Sequence, residues 1–235
     1  MLSIEAIRRA IIADPANQAY TEKGIYPLFQ AAPNAKILIV GQAPGWKAQE
    51  KGRLFADPSG DHLRAWLGIE PATFYDANQI AILPMDFYYL GKGKSGDLPP
   101  RKDFAAKWHP QILANLPKLE LIILLGQYAQ GYYLKDKKKR TLTETVRAYE
   151  EYLYPRKIKN GQEDIVEDRT GVHQDQLTKY SLDFQRVLPR YLPLVHPSPR
   201  NNIWQARNPI FKEEIVPVLQ TMVQNILSKR ENSYN

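Results

Sequence analysis

One histidine stands where its imidazole could donate a proton or a hydrogen bond to a reacting group. His196 follows a short apolar run, residues 191–195, and opens the segment HPSPRN, which contains Pro197 and Pro199. A proline fixes its own φ angle and restricts the residue before it, so this segment should hold the histidine in one place. Because imidazole titrates near neutral pH, His196 is a candidate catalytic donor.

Two other segments are suited to holding a flat polar ligand. GQAPGW, residues 41–46, follows the apolar run 36–40, and its glycines and proline favour a tight turn whose backbone N–H groups can point at one small ligand. Phe55 lies in the next loop, ahead of a predicted helix, where its ring could stack on a planar group. An ordinary strand-to-helix turn and a core phenylalanine are the alternative interpretations.

A third segment, PMDFYYLGKGKSGDLPPR at residues 84–101, combines carboxylates with several cations. Asp86 follows the apolar run 79–83 closely, where a carboxylate could orient a water molecule or accept hydrogen bonds from N–H groups of a ligand. Cationic side chains and a hydroxyl further along are suited to contacting phosphate groups. These candidate phosphate contacts are Lys92, Lys94, Ser95 and Arg101.

Four apolar runs predict the buried strands that must position these segments: residues 36–40, 79–83, 119–125 and 191–195. Helical patterns cover residues 61–67, 103–116, 127–134, 141–152 and 208–228. This alternation predicts the α/β class, as a three-layer α/β/α sandwich around a central, mostly parallel four-stranded sheet. Since ligands bind such sheets beyond the carboxyl ends of the strands, the three segments should meet there.

The composition narrows the possible classes of protein. The 235 residues fit one domain, residues 1–235, and the polar stretch 156–185 is expected to be an insertion or long hairpin on its surface. Cysteine is absent and the four histidines show no paired ligand spacing, so we expect no disulfide, no metal and no cofactor.

The charge and the N-terminal residues indicate a partner and a compartment. Lys and Arg exceed Asp and Glu by seven, which favours an anionic partner such as nucleic acid. The first fifteen residues contain two arginines and lack the long apolar run of a signal peptide or membrane span. We therefore expect a cytoplasmic monomer that does not associate with membranes.

GQAPG, the GRLF segment that contains Phe55, and HPSPRN together resemble the uracil-DNA glycosylase superfamily. In that family a G-Q-D-P-Y or G-E-A-P-G turn follows the first core strand, an aromatic residue stacks on the base, and an H-P-S-P-type loop closes the site. The likeness is closest to the branch in which G-E-A-P-G is followed by G-R-P-F. It covers about residues 36–202 apart from the insertion, and it implies the uracil-DNA glycosylase fold.

The resemblance implies a hydrolase of base excision repair. A deaminated base such as uracil would be flipped out of single- or double-stranded DNA, and the bond between base and sugar would be hydrolysed. The candidate catalytic residues are His196 and Gln42, which the resemblance implies, and Asp86, which is proposed from its position after the second strand. The implied base-binding residues are Gly41, Gln42, Ala43, Phe55, Asp86 and His196, where the backbone N–H groups of Gln42 and Ala43 and the imidazole stabilise negative charge on the base.

The resemblance also implies how DNA is held. Arg200 matches the position that wedges into the gap left in the duplex by the flipped base. The implied DNA-binding residues are Lys92, Lys94, Ser95, Arg101, Ser198, Arg200 and Asn201.

The sequence departs from the family where water is activated and where the base is read. Ala43 occupies the position at which some branches carry an Asp or Asn that orients the attacking water. Alternative residues for this task are Asp86, Gln42, Asp57 and Asp61, of which we favour Asp86 because it follows a strand. The second strand is followed by no uracil-reading asparagine, since Asn78 precedes it, so the identity of the base stays open. The cysteines of the iron–sulfur branch are missing.

Two other functions fit the same residues. A non-catalytic module that binds DNA or a base would follow from the loss of the water-activating group at Ala43. An enzyme acting on free nucleosides or nucleotides would need neither Arg200 nor the cationic segment. A steep fall of DNA affinity with salt would separate this third function from the first two.

Overall fold

The computed structural model describes residues 1–94, 96–154 and 189–229, together with the backbone of residues 157–159 and 162–164. The strands are β1 (Ile37–Val40), β2 (Ile80–Ile82), β3 (Lys92–Gly93), β4 (Gly96–Asp97), β5 (Leu121–Leu125), β6 (Lys157–Lys159), β7 (Gln162–Asp164) and β8 (Arg190–Leu194). A central four-stranded sheet has the order β2-β1-β5-β8, and all of its neighbouring pairs are parallel. The remaining strands form two antiparallel hairpins, β3–β4 and β6–β7.

Helices connect the strands. They are α1 (Ile4–Ala13), α2 (Gln18–Thr21), α3 (Trp46–Lys51), α4 (Pro58–Leu67), α5 (Pro71–Phe74), α6 (Phe104–Leu113), α7 (Gly126–Leu134), α8 (Leu142–Arg147), α9 (Tyr149–Leu153), α10 (Asn202–Ala206) and α11 (Val216–Ser228). Short 3₁₀ turns cover Pro15–Asn17, Lys135–Lys137 and Pro199–Asn201, and a π-helical turn covers Phe211–Ile215.

The sheet is buried on both faces. Successive side chains of a strand point to opposite faces, and the two hydrophobic clusters of the core follow this alternation. Ile37 and Ile39 of β1 belong to the cluster that includes residues of α4, α8, α9 and α11. Leu38 and Val40 belong to the cluster that includes residues of α1, α6 and α7. The result is a helix–sheet–helix sandwich, as the apolar runs of the sequence predict.

The predicted fold class is confirmed, and the sheet is entirely parallel rather than mostly parallel. The predicted helix over residues 141–152 is two helices, because the backbone leaves the helical region at Ala148, where φ is −85° and ψ is 23°. The predicted helix over 208–228 begins with the π-helical turn. Pro217, in the first turn of α11, lacks the N–H that a regular helical hydrogen bond would need.

Several short elements of the structure were missed by the sequence analysis. The short helices α3, α5 and α10 and the hairpin β3–β4 were not predicted. The predicted insertion at residues 156–185 lies outside the described residues, apart from the backbone of β6 and β7. No helix in the described part of the chain is both long and apolar enough to cross a membrane.

A buried histidine joins α6 to the loop that follows β2. His109 is completely buried, and its Nε2–H donates a hydrogen bond of 2.9 Å to the carbonyl oxygen of Pro84. Its Nδ1 then accepts from the hydroxyl of Tyr133 at 2.8 Å, so the ring is neutral. Burial lowers the pKa of His109 from 6.5 to about 4, and the hydrogen bond to Pro84 opposes this shift.

The neutral His109 should make stability depend on pH. In the unfolded chain its pKa is near 6.5 and in the folded protein about 4, so the unfolded state binds the proton more readily. The free energy of unfolding should therefore fall as the pH drops through this interval, by up to about 3 kcal/mol from this group. Urea unfolding between about pH 7 and about pH 4 should show a smaller fall for His109→Gln than for the wild type. Identical pH dependence in the two proteins would contradict this assignment.

Candidate active site

The three segments singled out in the sequence meet at the carboxyl edge of the sheet. The turn after β1 accepts two backbone hydrogen bonds from the loop after β2: Met85 N–H to Gly41 O at 2.9 Å and Asp86 N–H to Gln42 O at 3.1 Å. The HPSPRN loop follows β8, and a Cβ atom on Gly126, directly after β5, would lie 3.9 Å from the Cβ of His196. This edge is where ligands bind in open α/β sheets.

The turn after β1 leaves two donors available. Within the described residues, the backbone N–H groups of Gln42 and Ala43 donate no hydrogen bond, while the carbonyl of Gln42 is engaged by the β2 loop. Both residues are partly exposed. Unpaired backbone donors at a partly exposed turn can bind an oxygen atom of a ligand, as the sequence predicted for this pair.

Phe55 lies over this turn in a constrained conformation. Its φ of 54° is in the left-handed region, which a phenylalanine rarely adopts. The tip of its ring, Cζ, lies 3.6 Å from the position that a Cβ on Gly41 would take, and the ring meets Phe74 edge to face at 6.0 Å. The ring is therefore positioned beside the turn by the core, so the core and stacking interpretations are compatible.

The surroundings of Phe55 hold its backbone in place. Its carbonyl oxygen accepts hydrogen bonds from Tyr75 Oη at 3.2 Å and from Arg64 Nη1 at 3.4 Å. Gly60, in the first turn of α4, packs so closely that a Cβ there would lie 1.8 Å from the same oxygen. An unfavourable φ angle persists only where such contacts determine it, and here they fix the ring at the site.

His196 has a defined tautomer. The backbone N–H of Ser198 donates to its Nδ1 at 3.2 Å, so the ring proton is on Nε2, which can donate to a ligand. Burial lowers the pKa of His196, whereas the negative charges of Asp57 and Asp97 raise it by smaller amounts. The net shift is downward, and the imidazole is a neutral hydrogen-bond donor at neutral pH.

The loop around His196 is held by side chains that the sequence interpretation did not assign to this task. Asn201 Nδ2 donates to the carbonyl of His196 at 2.8 Å, and the hydroxyl of Ser198 accepts from Arg200 N–H at 3.4 Å. From α4, His62 Nδ1 donates to the carbonyl of Pro197 at 3.1 Å. Asn201, Ser198 and His62 are therefore positioning residues for the imidazole.

The structure corrects the expectation for Asp86 and Arg101. Asp86 is completely buried and accepts from Arg101 Nε at 2.7 Å and Nη2 at 2.9 Å. Its carboxylate also accepts from the backbone N–H groups of Tyr88 at 3.2 Å and Arg101 at 3.3 Å. Four hydrogen bonds saturate the carboxylate, so it is not available to water or a base, and the guanidinium is not available to phosphate.

The guanidinium of Arg101 extends this network to the N-terminal region. Its Nη1 donates to Asn17 Oδ1 at 2.8 Å and to the carbonyl of Ala16 at 3.0 Å. Its centre lies 4.5 Å from the ring centroid of Phe104, in a cation–π contact. Arg101 therefore joins the loop after β2 to the turn between α1 and α2.

The side chain of Gln42 also has a structural task. Its Nε2 donates to the carbonyl oxygens of Leu98 at 2.9 Å and Asp97 at 3.4 Å, which fastens the hairpin β3–β4 to the turn after β1. The side-chain N–H of Gln42 is therefore engaged, its backbone N–H remains available, and a catalytic role for Gln42 stays a prediction. Asp97 of this hairpin was not assigned to the site from the sequence.

Exposed cations lie around this edge. Lys92 and Lys94 are exposed on the hairpin, and Arg200 is exposed on the HPSPRN loop. A Cβ on Gly96 would lie 3.3 Å from Arg200 Nη1, so the hairpin and Arg200 are adjacent. Ser95 lies outside the described residues.

The remaining carboxylates near the site are partly engaged. Asp57 caps α4 by accepting from Gly60 N–H at 3.2 Å. Asp61 is paired with Arg64 at 2.6 Å and is exposed. In the part of the chain that the structure describes, no group of three or more acidic or histidine side chains is arranged to hold a metal ion. A cysteine-ligated iron–sulfur cluster does not fit, since the chain has no cysteine.

The fold and site define an α/β protein with a glycine-rich turn and a histidine loop at the carboxyl edge of a parallel sheet, where ligands bind in such folds. The family model of the Uracil DNA glycosylase superfamily matches residues 29–220. Because this match covers most of the chain, the chain belongs to that superfamily. Similarity to the branch with G-E-A-P-G stays a prediction.

The role found for Arg101 can be measured through stability. Arg101→Gln leaves the buried carboxylate of Asp86 without its ionic partner, and we expect the free energy of unfolding to fall by about 3 kcal/mol. The exposed neighbouring cation provides the control, since Lys102→Gln should change it by less than about 0.5 kcal/mol. Urea unfolding of the purified proteins is the measurement. Equal stability of the two variants would contradict the structural role.

Proposed function

We propose that this protein is a DNA glycosylase that hydrolyses the N-glycosidic bond of a deaminated base, without a cofactor. The observation that carries the proposal is the neutral His196, whose ring proton is on Nε2. It lies at the same edge as the turn whose two N–H groups have no partner among the described residues. Membership of the superfamily supports hydrolysis of N-glycosidic bonds as the reaction. DNA carrying a damaged base is the proposed substrate.

The proposed chemistry follows from where charge develops. As the bond between sugar and base stretches, positive charge grows on the sugar and negative charge on the base. Donors aimed at an oxygen of the base stabilise this transition state more than the ground state. His196 Nε2–H and the N–H groups of Gln42 and Ala43 would supply these donors, and they need no proton transfer to do so.

Phe55 supports a site for a planar ligand. Its ring is held beside Gly41 by Phe74 and by the fixed backbone of its own loop. A flipped base would gain stacking on this ring, which offsets part of the cost of leaving the duplex stack. Because the ring position is fixed before the ligand arrives, binding would cost little conformational entropy there.

DNA binding is supported by the cations of the same edge. Lys92, Lys94 and Arg200 are exposed, and the hairpin lies next to Arg200. The protein as a whole carries a net charge of +7. In the proposal the lysines contact phosphate groups, and Arg200 fills the space that the flipped nucleotide leaves.

A second candidate function is a non-catalytic module that binds DNA or a base. Two observations favour it: the turn carries Ala43, and the nearby Asp86 is saturated by its pairing with Arg101. Such a module would bind damaged DNA with a steep salt dependence and release no base.

Base release from defined oligonucleotides tests the proposal. Purified protein is incubated with oligonucleotides that carry one uracil, hypoxanthine or xanthine, and abasic sites are scored by alkaline cleavage. We expect release of at least one of these bases, and His196→Ala should lower the rate about 100-fold or more with little change in duplex affinity. An unchanged rate in the variant would rule out the role of His196. No release from any substrate, together with salt-sensitive binding, would favour the non-catalytic module.

The wedge role of Arg200 gives a separate prediction. Arg200→Ala should weaken binding to a damaged duplex more than it lowers activity on a single strand, because a single strand has no gap to fill. Arg9→Ala removes the same charge from an exposed position on α1 and serves as the control. Fluorescence anisotropy and single-turnover rates on both substrates are the measurements. Equal losses on the two substrates would reject the wedge.

A further inference from the structure

The proposed reaction needs a group that accepts a proton from the attacking water, and Ala43 has none. Three of the carboxylates near the site have hydrogen-bond partners. Asp86 is saturated by Arg101 and two backbone N–H groups, Asp61 is paired with Arg64, and Asp57 caps α4. A carboxylate that already accepts hydrogen bonds is a poorer base. Asp97 is the fourth carboxylate near the site.

Asp97 lies beside the end of the turn after β1. It is exposed on β4, and its Oδ2 lies 3.9 Å from the position that a Cβ on Gly45 would take. Within the described residues its carboxylate accepts no hydrogen bond. The carboxylate is therefore free to bind water at the end of the same turn whose N–H groups are available to a base.

The hairpin holds Asp97 in place from several directions. In the antiparallel ladder of the hairpin, the backbone of Lys92 lies opposite that of Asp97. Gln42 Nε2 donates to the backbone carbonyl oxygens of Asp97 and Leu98. Leu98 N–H donates to the carbonyl of Gly91 at 2.9 Å, which closes the base of the hairpin. These bonds fix the backbone that carries the carboxylate, as general-base catalysis requires.

The electrostatics of the imidazole agree with this placement. The negative charge of Asp97 acts on His196 and raises its pKa, in opposition to burial. The hairpin that carries Asp97 lies next to the loop that carries His196, because a Cβ on Gly96 would lie 3.3 Å from Arg200 Nη1. A negative charge in this region also favours positive charge on a sugar.

We propose that Asp97 is the catalytic base that orients and deprotonates the attacking water. This inference rests on the proposed glycosylase function. In the reaction the water oxygen bonds to C1′ of the sugar while the C1′–N bond breaks, and the bonding electron pair leaves with the base. The proton of the water passes to the Asp97 carboxylate. The departing base, stabilised by His196 and the N–H groups of Gln42 and Ala43, takes up a proton from solvent.

Single-turnover kinetics on the substrates that the wild type cleaves test this role. Asp97→Asn should lower the rate of base release about 100-fold or more, by a similar factor on every base that is cleaved, without weakening binding to the duplex. Asp103→Asn, an exposed carboxylate at the start of α6 with no capping hydrogen bond, should leave the rate unchanged. Because Asp97 is exposed, urea unfolding should show that Asp97→Asn is as stable as the wild type.

A second carboxylate variant, Asp57→Asn, and three further outcomes complete the test. Asp57→Asn removes the other charge that acts on His196 but keeps an equally good cap for α4. A larger loss in Asp57→Asn than in Asp97→Asn would overturn the inference. A loss confined to one base would also overturn it, since Asp97 would then read the base. A wild type that is active while Asp97→Asn is equally active refutes this inference alone, whereas a wild type that releases no base refutes the proposed function as well.

Discussion

The ion pair between the buried Asp86 and the partly exposed Arg101 is the interaction on which the site depends. A carboxylate removed from water is stable only when its acceptor positions are filled, and Arg101 and two backbone N–H groups fill those of Asp86. The pair closes the loop between β2 and α6 at its two ends and anchors it to Asn17. The hairpin β3–β4 lies inside this closed loop, so its position at the sheet edge follows from the pair.

A second set of contacts joins the loop between β2 and α6 to the turn after β1 and to the loop after β8. Gln42 fastens the hairpin to the turn after β1, and Gly96 brings it next to Arg200 on the loop after β8. The site is thus built from segments after three strands. Hydrogen bonds join the segments after β1 and β2 to each other, while the loop after β8 is held by His62 of α4 and lies next to the hairpin. These contacts between the segments fix the donor and acceptor positions before a ligand binds. Groups that are preorganised in this way stabilise developing charge most effectively.

The fold and part of the site could be predicted from the sequence because they depend on local patterns. Apolar runs indicate buried strands, and the parallel topology brings their carboxyl ends together, so the convergence of the GQAPG turn and the HPSPRN loop was predictable. The structural role of Asp86 could not be predicted, because a catalytic carboxylate and an ion-paired carboxylate have the same sequence pattern at the end of a strand. The difference depends on Arg101, fifteen residues away, and on burial that only packing reveals.

The position of Asp97 at the site could not be predicted from the sequence. Strands of two residues carry no alternating pattern, so the hairpin that presents this carboxylate left no signal in the sequence. Its position also brings a carboxylate to the same site as His196. Burial disfavours the charged imidazolium of His196 more than Asp57 and Asp97 favour it, so the pKa of His196 stays lowered. The neutral imidazole is suited to donating a hydrogen bond to a base, and the exposed carboxylate of Asp97 is suited to accepting one from water.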